Sequence, residues 1–374
     1  MSGVLREERA NGISALAGFT VAVTADRRRD ELTALLAGRG ARVVVAPALR
    51  AVPLAGDVQL RAATQAVLDR WPDVVIAMTG IGLRGWVEAA EGWGWGEALR
   101  SRLDRTYLVA SGPKASGLLR AAGLAEHWAP GSEDSTDLVD HLRWRGLAGR
   151  TVAVQLHGEP LPDLCEQLRE AGADVIEVTV HRWAAPVDPA PLRRLVDLVA
   201  GRLVDAVAFT NAQATQALLR AAGDDRDAVL DALREDILAA CTSPLTAAPL
   251  RRYGVPVVAP SRSGLGALVR AISDALPPRA RTVRVAGKEV TLRGYAAIVD
   301  GELRPMAPAP MAVLRALARA PGRVLARRAL LSELPRGADE HAVEMAVARL
   351  RAGLGDASLV QTVVKRGYRL AVDT

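Results

Sequence analysis

Cysteine and lysine are scarce: 374 residues hold two cysteines, Cys165 and Cys241, and three lysines, Lys114, Lys288 and Lys365. Two isolated thiols without metal-ligand spacing exclude a disulfide-stapled scaffold and a zinc module, and fit buried thiols in a reducing cytoplasm. No run of about 18 uncharged apolar residues occurs, which excludes a transmembrane helix and a membrane partner. Residues 1–11 carry Arg6, Glu7, Glu8 and Arg9 and no apolar signal-peptide core. They read as a solvated tail, and the protein as cytoplasmic. His127, His141 and His157 show no metal spacing, so neither a metal nor a cofactor is expected. The lysine deficit stands against 45 arginines, a bias of the kind a GC-rich genome produces.

Charge is unevenly placed. From Pro277 onward there are 17 Lys/Arg and 9 Asp/Glu, a surplus of eight, so residues 1–276 sum to −2 within a chain total of +6. A neutral-to-acidic body with a basic C-terminal module suits a regulator whose one end meets phosphates.

Between residues 18 and 276, β-branched runs alternate with Ala- and Leu-rich stretches of helical period. Strands are predicted at 20–24, 42–46, 74–79, 107–110, 152–156, 175–180, 206–210, 238–242 and 255–259. Continuous apolar strands alternating with helices imply parallel sheets covered on both faces. So many strands exceed one doubly wound domain, and two α/β domains are expected. Extended stretches at 47–53 and 181–189 are the predicted joints. They give a discontinuous outer domain of 14–47 plus 184–276 and a middle domain of 53–180. The Pro-rich stretch 277–281 is a short stiff linker. Beyond it, 282–374 reads as antiparallel strands at 283–285, 289–292 and 296–299, with a hairpin turn at Asp300-Gly301. Helices follow at 310–319, 327–333 and 338–353.

In the last helix, Val343, Val347, Leu350 and Leu354 recur at i, i+4, i+7 and i+11 and form one apolar face. His341, Met345, Ala348, Arg349 and Arg351 are left exposed, and Asp339 is placed to cap the helix. A hairpin then carries Lys365 and Arg366 at its tip. Arginine forks on a helix held by its apolar stripe can read guanine edges or bind phosphates, while the hairpin reaches the adjacent backbone. A solvated arginine face is the alternative for such a helix alone, and the hairpin argues against it.

Met311–Leu317, Pro321-Gly322-Arg323-Val324-Leu325-Ala326-Arg327, 347–354, and Gln361-Thr362-Val363 with Gly367-Tyr368-Arg369 resemble the winged-helix effector domain of OmpR/PhoB-type response regulators. The resemblance covers about 282–372. It implies double-stranded DNA contacts from His341, Met345, Arg349 and Arg351 on the recognition helix and from Thr362, Lys365 and Arg366 on the wing. Ala348 and His341 stand where the family often has basic residues. The acidic pair, central Asp and Lys of a receiver domain have no counterpart upstream, so phosphorylation control is not expected.

Loops at the predicted strand ends, Thr79-Gly80, Ser111-Gly112-Pro113-Lys114-Ala115, His157-Gly158-Glu159, Thr210-Asn211 and Thr242-Ser243-Pro244-Leu245-Thr246-Ala247, together with Glu177-Val178-Thr179-Val180-His181, resemble uroporphyrinogen-III synthase over residues 14–276. That family has two α/β domains, and ligands of doubly wound folds bind outside strand carboxyl ends, where helix amides are exposed. The resemblance implies a cleft lined by Thr79, Gly80, Ser111, Gly112, Lys114, Gly158, His181, Thr210, Asn211, Thr242, Ser243 and Thr246, suited to a small anionic or tetrapyrrole-like ligand. For any one of these residues, simple helix capping is the competing role. His181 replaces a tyrosine usual in the synthase, Ala25 an arginine (Arg27 is near), and Pro160-Leu161-Pro162 a basic residue.

The combined architecture resembles actinobacterial regulators of nitrate and nitrite assimilation, which implies a transcription factor acting beside an OmpR-family nitrogen regulator at shared promoters. The expectation is a DNA-binding regulator with a sensor or protein-docking body. The alternative is a bifunctional protein that still cyclises hydroxymethylbilane to uroporphyrinogen III.

Overall fold

A computed structural model describes residues 12–372, except 122, 132–134, 159–160, 262–263 and 335–338 and the side chains of Lys114, Ser135, Thr136 and His157. The predicted tail 1–11, the Glu159-Pro160 step and the start of the predicted 338–353 helix lie outside the described residues. The chain divides into two compact units, Met1–Leu49 with Pro186–Thr374, and Arg50–Ala185.

The first unit contains a five-stranded parallel sheet of β1 (Thr20–Val23), β2 (Arg42–Val45), β8 (Ala206–Phe209), β9 (Leu238–Cys241) and β10 (Val257–Val258), ordered β10-β9-β8-β1-β2. Every residue of β1, β8 and β9 is buried, as strands covered on both faces require. Val21, Val23, Leu32, Leu36, Leu268 and Ile272 form part of the core. The last strand is two residues long, shorter than the predicted 255–259.

The same unit holds the C-terminal winged helix. Strands β11 (Arg281–Val285), β12 (Lys288–Leu292), β13 (Ala296–Val299) and β14 (Glu302–Pro305) make an antiparallel meander. The fourth strand was not predicted, because it is charged and ends in proline, a composition that only an edge strand tolerates. Helices Pro308–Arg319, Arg327–Leu331 and Glu340–Leu354 follow, then the hairpin β15 (Val360–Val363) and β16 (Gly367–Leu370). Val343, Val347, Leu350 and Leu354 are buried against Leu314, Leu317 and Leu330. Asp339 caps the last helix, accepting the Ala342 N–H at 2.8 Å. Leu325 and Tyr368 exchange backbone hydrogen bonds of 2.8 and 3.0 Å, tying the approach to the second helix to the wing. Gly367 makes this possible, since a Cβ there would lie 2.0 Å from the Leu325 carbonyl oxygen.

The 277–281 stretch is ordered, with a 3₁₀ turn at Pro277–Arg279. Arg279 donates to the Glu235 and Asp236 carbonyls, at 3.4 and 3.3 Å. Arg293, in the turn between β12 and β13, donates to the carbonyls of Ala17 (2.6 Å), Ala15 (3.3 Å) and Ser14 (3.4 Å). The Tyr295 N–H reaches the Gly18 carbonyl at 2.8 Å. Asp205 accepts the Thr20 N–H at 2.7 Å and lies against Gly294.

The second unit is a five-stranded sheet of β3 (Arg50–Pro53), β4 (Val74–Ala77), β5 (Tyr107–Ala110), β6 (Thr151–Gly158) and β7 (Asp174–Ala184), ordered β3-β7-β6-β4-β5. Its pairings are parallel except β3 with β7, where Arg50 faces Ala184 and Pro53 faces His181. The extended stretches expected as joints thus run side by side over part of their length, as a ladder. Each looks like a loop by itself, because the partner that makes it a strand lies some 130 residues away in the register. Trp86 and Thr64 are fully buried in this unit, and the indole N–H donates to Thr64 Oγ1 at 2.8 Å.

The Asp205 carboxyl is pushed up to about 6, mainly by burial, with the Thr20 N–H and Arg315 opposing the shift. A carboxyl whose folded pKa exceeds its unfolded value contributes stability that is complete below the ordinary carboxylate range and is lost as pH rises through the folded value. Asp205→Asn should therefore flatten the decline in stability between about pH 4 and pH 7, read as urea midpoints across that window. An unchanged decline would mean that the carboxyl titrates as an ordinary solvated group.

Candidate functional site

On the winged helix, the buried stripe turns His341, Met345, Ala348 and Arg349 outward, and all four are exposed. At the wing tip Val364, Lys365 and Arg366 are exposed, with Lys365 in the left-handed region at φ +60° and the Arg366 N–H closing the turn on the Val363 carbonyl at 2.9 Å. Arg351 departs from the expectation of an exposed arginine. It is half-buried and donates twice to the Val360 carbonyl, at 2.9 and 2.7 Å, and once to Thr362 Oγ1 at 2.8 Å. Arg351 and Thr362 hold the helix and wing together, because the hairpin's first strand leaves that carbonyl facing the helix. What remains outward is a helix face with one arginine beside a hairpin tip with two cations.

The other predicted residues lie at strand carboxyl ends, and each unit has its own set. In the second unit, Thr79 caps the helix Gly80–Gly92, its Oγ1 accepting the Gly82 N–H at 3.0 Å. Its own N–H donates to Gln155 Oε1 at 3.1 Å. Gln155 is fully buried, and a Cβ on Gly82 would lie 2.2 Å from its Nε2. This glutamine was missed, although a polar residue inside the apolar run of β6 was a signal. Gly80 is pressed against Leu118, where a Cβ would stand 2.0 Å from the leucine's Cβ. Ser111 Oγ donates to the Met78 carbonyl at 2.8 Å, and Gly112 is buried with its carbonyl accepting the Ser116 N–H. Gly158 has φ +75°, and a Cβ there would meet Trp183 Nε1 at 2.5 Å. His181 is 4% exposed and packs edge-on against Trp183, their centroids 5.6 Å apart. Lys114 sits in the first turn of the helix Pro113–Ala121.

In the first unit, Asn211 caps Ala212–Ala221, accepting the Ala214 N–H at 2.7 Å. Thr242 Oγ1 reaches the Thr210 carbonyl at 3.1 Å and Thr246 Oγ1 at 3.2 Å. Ser243 Oγ accepts the Thr246 N–H at 3.3 Å, and Thr242, Ser243 and Thr246 are all buried. These hydroxyls are engaged within the strand-end loops. The chemistry left to a ligand at these ends is that of helix N-terminal amides, which favour anions. Among the described residues no group of three His, Cys, Asp or Glu could hold a metal ion, and no helix is long and apolar enough to cross a membrane.

Two α/β sheets, one paired by an antiparallel strand, followed by a winged helix, define an α/β body carrying an OmpR/PhoB-type C-terminal domain. Residues 30–270 match the family described as Uroporphyrinogen-III synthase HemD, and residues 301–370 match Transcriptional regulatory protein, C terminal. The chain belongs to the uroporphyrinogen-III synthase family. It is 28% identical over 257 residues to the uncharacterized protein YjjA of Bacillus subtilis (strain 168), spanning 68% of this chain and 94% of that one. A putative uroporphyrinogen-III synthase of Methanothermobacter thermautotrophicus is 26% identical over 247 residues, 66% of this chain and 94% of its own. The crystal structure of a mutant uroporphyrinogen III synthase from the extremely thermophilic bacterium Thermus thermophilus is similar at 29% identity, covering 69% of this chain and 98% of that one, with a TM-score of 0.56.

Gly80 separates a packing role from a ligand role. Gly80→Ala should destabilise the protein by about 1–3 kcal/mol through overpacking on Leu118, seen as a lower denaturant midpoint in ligand-free protein. A wild-type midpoint would leave close approach to a ligand as the reason for glycine here.

Proposed function

We propose that this protein is a transcriptional regulator that binds double-stranded DNA through its winged helix, with the synthase-like body serving as a sensor or protein-docking platform. The observation that carries this reading is the joint exposure of Arg349 on a helix anchored by its apolar stripe and of Lys365 and Arg366 at the neighbouring wing tip. The match of residues 301–370 to the C-terminal domain of transcriptional regulatory proteins supports it. His341 and Met345 flank Arg349 on the same face and would meet base edges or sugars. Arg351 and Thr362 act indirectly, by fixing the wing against the helix. The strand-end residues Thr79, Ser111, Thr210, Asn211, Ser243 and Thr246 would frame amides for a small anionic or tetrapyrrole-like effector. Regulation of nitrate and nitrite assimilation, beside an OmpR-family regulator at shared promoters, is the physiological setting that fits the two-part architecture. Promoter occupancy with and without nitrate tests it.

A second reading, retained uroporphyrinogen-III synthase activity, is favoured by one observation: membership of that family across residues 30–270. Hydroxymethylbilane supplied to the purified protein, with the ring isomers resolved, decides it. Formation of isomer III beyond the spontaneous background would make the protein bifunctional.

DNA contact by the wing tip has an electrostatic signature. Each neutralised phosphate contributes about −0.9 to the slope of log affinity against log salt. Arg366→Ala should flatten that slope by roughly one unit, measured by fluorescence anisotropy over a salt series. An unchanged slope would remove Arg366 from the phosphate contacts.

A further inference from the structure

Every described contact that ties the winged helix to the outer α/β sheet falls at one end of that sheet. Gly18, two residues before β1, accepts the Tyr295 N–H. Asp205, immediately before β8, lies against Gly294. Arg42, the first residue of β2, stands 5.9 Å from the Tyr295 ring centroid. Glu235 and Asp236, ahead of β9, accept from Arg279. These are the amino ends of parallel strands, whereas Thr210, Asn211, Thr242 and Ser243 follow the carboxyl ends of β8 and β9. The contacting element on the winged-helix side is the β12–β13 turn, braced from within the winged helix by Arg315, which donates to the Gly294 carbonyl. Neither the outward face of Glu340–Leu354 nor the wing tip takes part.

The fit is close. Arg293 is half-buried, its guanidinium bound to three carbonyls and packed 5.0 Å from the centroid of Phe19. Any side chain at Gly294 would force Asp205 aside, since a Cβ would stand 1.8 Å from Asp205 Oδ2. We propose that the Arg293-Gly294-Tyr295 turn is a fixed dock that seats the winged helix on the amino ends of the outer sheet. DNA is then met by the winged helix and the outer α/β domain together, without undocking, and the winged helix leaves the carboxyl ends of those strands uncovered while DNA is held. The second half of this proposal rests on the DNA-binding reading, and the first does not.

The test uses the full chain and trypsin cleavage between Arg279 and Ala280, located by mass spectrometry. In the docked protein Arg279 is held by the Glu235 and Asp236 carbonyls and should cleave slowly. Gly294→Ala drives a methyl into the Asp205 carboxylate and should raise the rate at this bond about tenfold, since cleavage tracks the open population. Adding Asp205→Ala removes the obstructing carboxylate and should return the rate to that of Asp205→Ala alone. Far-UV circular dichroism and unchanged cleavage elsewhere show that the variants are folded, and Arg293→Ala gives an independent loosening without a wedge. Wild-type cleavage in both Gly294→Ala and Arg293→Ala, or a wedge that Asp205→Ala fails to relieve, would overturn the dock. A mixed-sequence duplex at low salt should leave the wild-type rate unchanged while bound in a gel-shift assay. Faster cleavage on DNA would show that docking and DNA contact exclude each other, and so sink the proposal. Absence of any shift at low salt would instead count against the DNA-binding reading, while the wedge series still judges the dock.

Discussion

A half-buried guanidinium sets the constraint on which the arrangement of the first unit depends. Arginine keeps its charge even when burial lowers its pKa, as at Arg293, so it must find acceptors wherever the fold places it. The chain leading into β1 supplies them: its carbonyls at Ser14, Ala15 and Ala17 converge on one Nη. Lysine could not match this with an equally flat head lying along Phe19. The pairing serves both sides at that Nη, because carbonyls in an irregular segment need donors as much as the cation needs acceptors, while the buried Nε takes no partner among the described residues. Separating the two modules would require water to rehydrate both sides at once. The energetics of the contact are therefore set by the alternative to pairing, which is costly, more than by the hydrogen bonds themselves.

At the strand carboxyl ends, the same demand for polar satisfaction limits what a ligand can use. Thr79, Asn211 and Ser243 already accept amide hydrogens of their own helices. Thr242 and Thr246 are bonded to each other, and Gln155 braces Thr79 from β6. Side chains so engaged fix the direction of the first helical turn. Recognition of any ligand there would fall to the turn's remaining N–H groups and the helix dipole, which distinguish anions from neutral molecules and discriminate little among anions. Selectivity at these ends has to come from shape, and the glycines at 80 and 158 are taken up by Leu118 and Trp183.

Local pattern made much of this legible. Apolar runs of β-branched residues marked nine of the ten body strands to within a few residues, and the spacing of Val343, Val347, Leu350 and Leu354 identified the buried stripe of the last helix. Asp339 was recognisable as a cap because its residue type and position suffice. The failures share a cause. The engagement of Arg351 by Val360 and Thr362 and the seating of Arg293 on Ser14–Ala17 each depend on a partner that periodicity does not reveal. Arg351 shows the difficulty best. In sequence it is one more arginine on an exposed face, and only the path of the wing shows that its fork is already filled.

The placement of the two functional ends bears on how signals could pass between them. Strands β1 and β8 each run from the dock to a strand-end loop, and four residues of strand span roughly 13 Å. A ligand shifts an equilibrium only by the difference in its affinity for the two states. Here a reoriented winged helix would have to strip the Arg293 guanidinium of the three carbonyls it binds, so that state is costly. A small anion held by helix amides gains too little differential affinity to populate it. Under the sensor reading proposed above, an effector at the carboxyl ends would therefore act with the winged helix in place. It would change the surface that the outer α/β domain presents, where a second protein could read it, and would leave the angle of the recognition helix as it was.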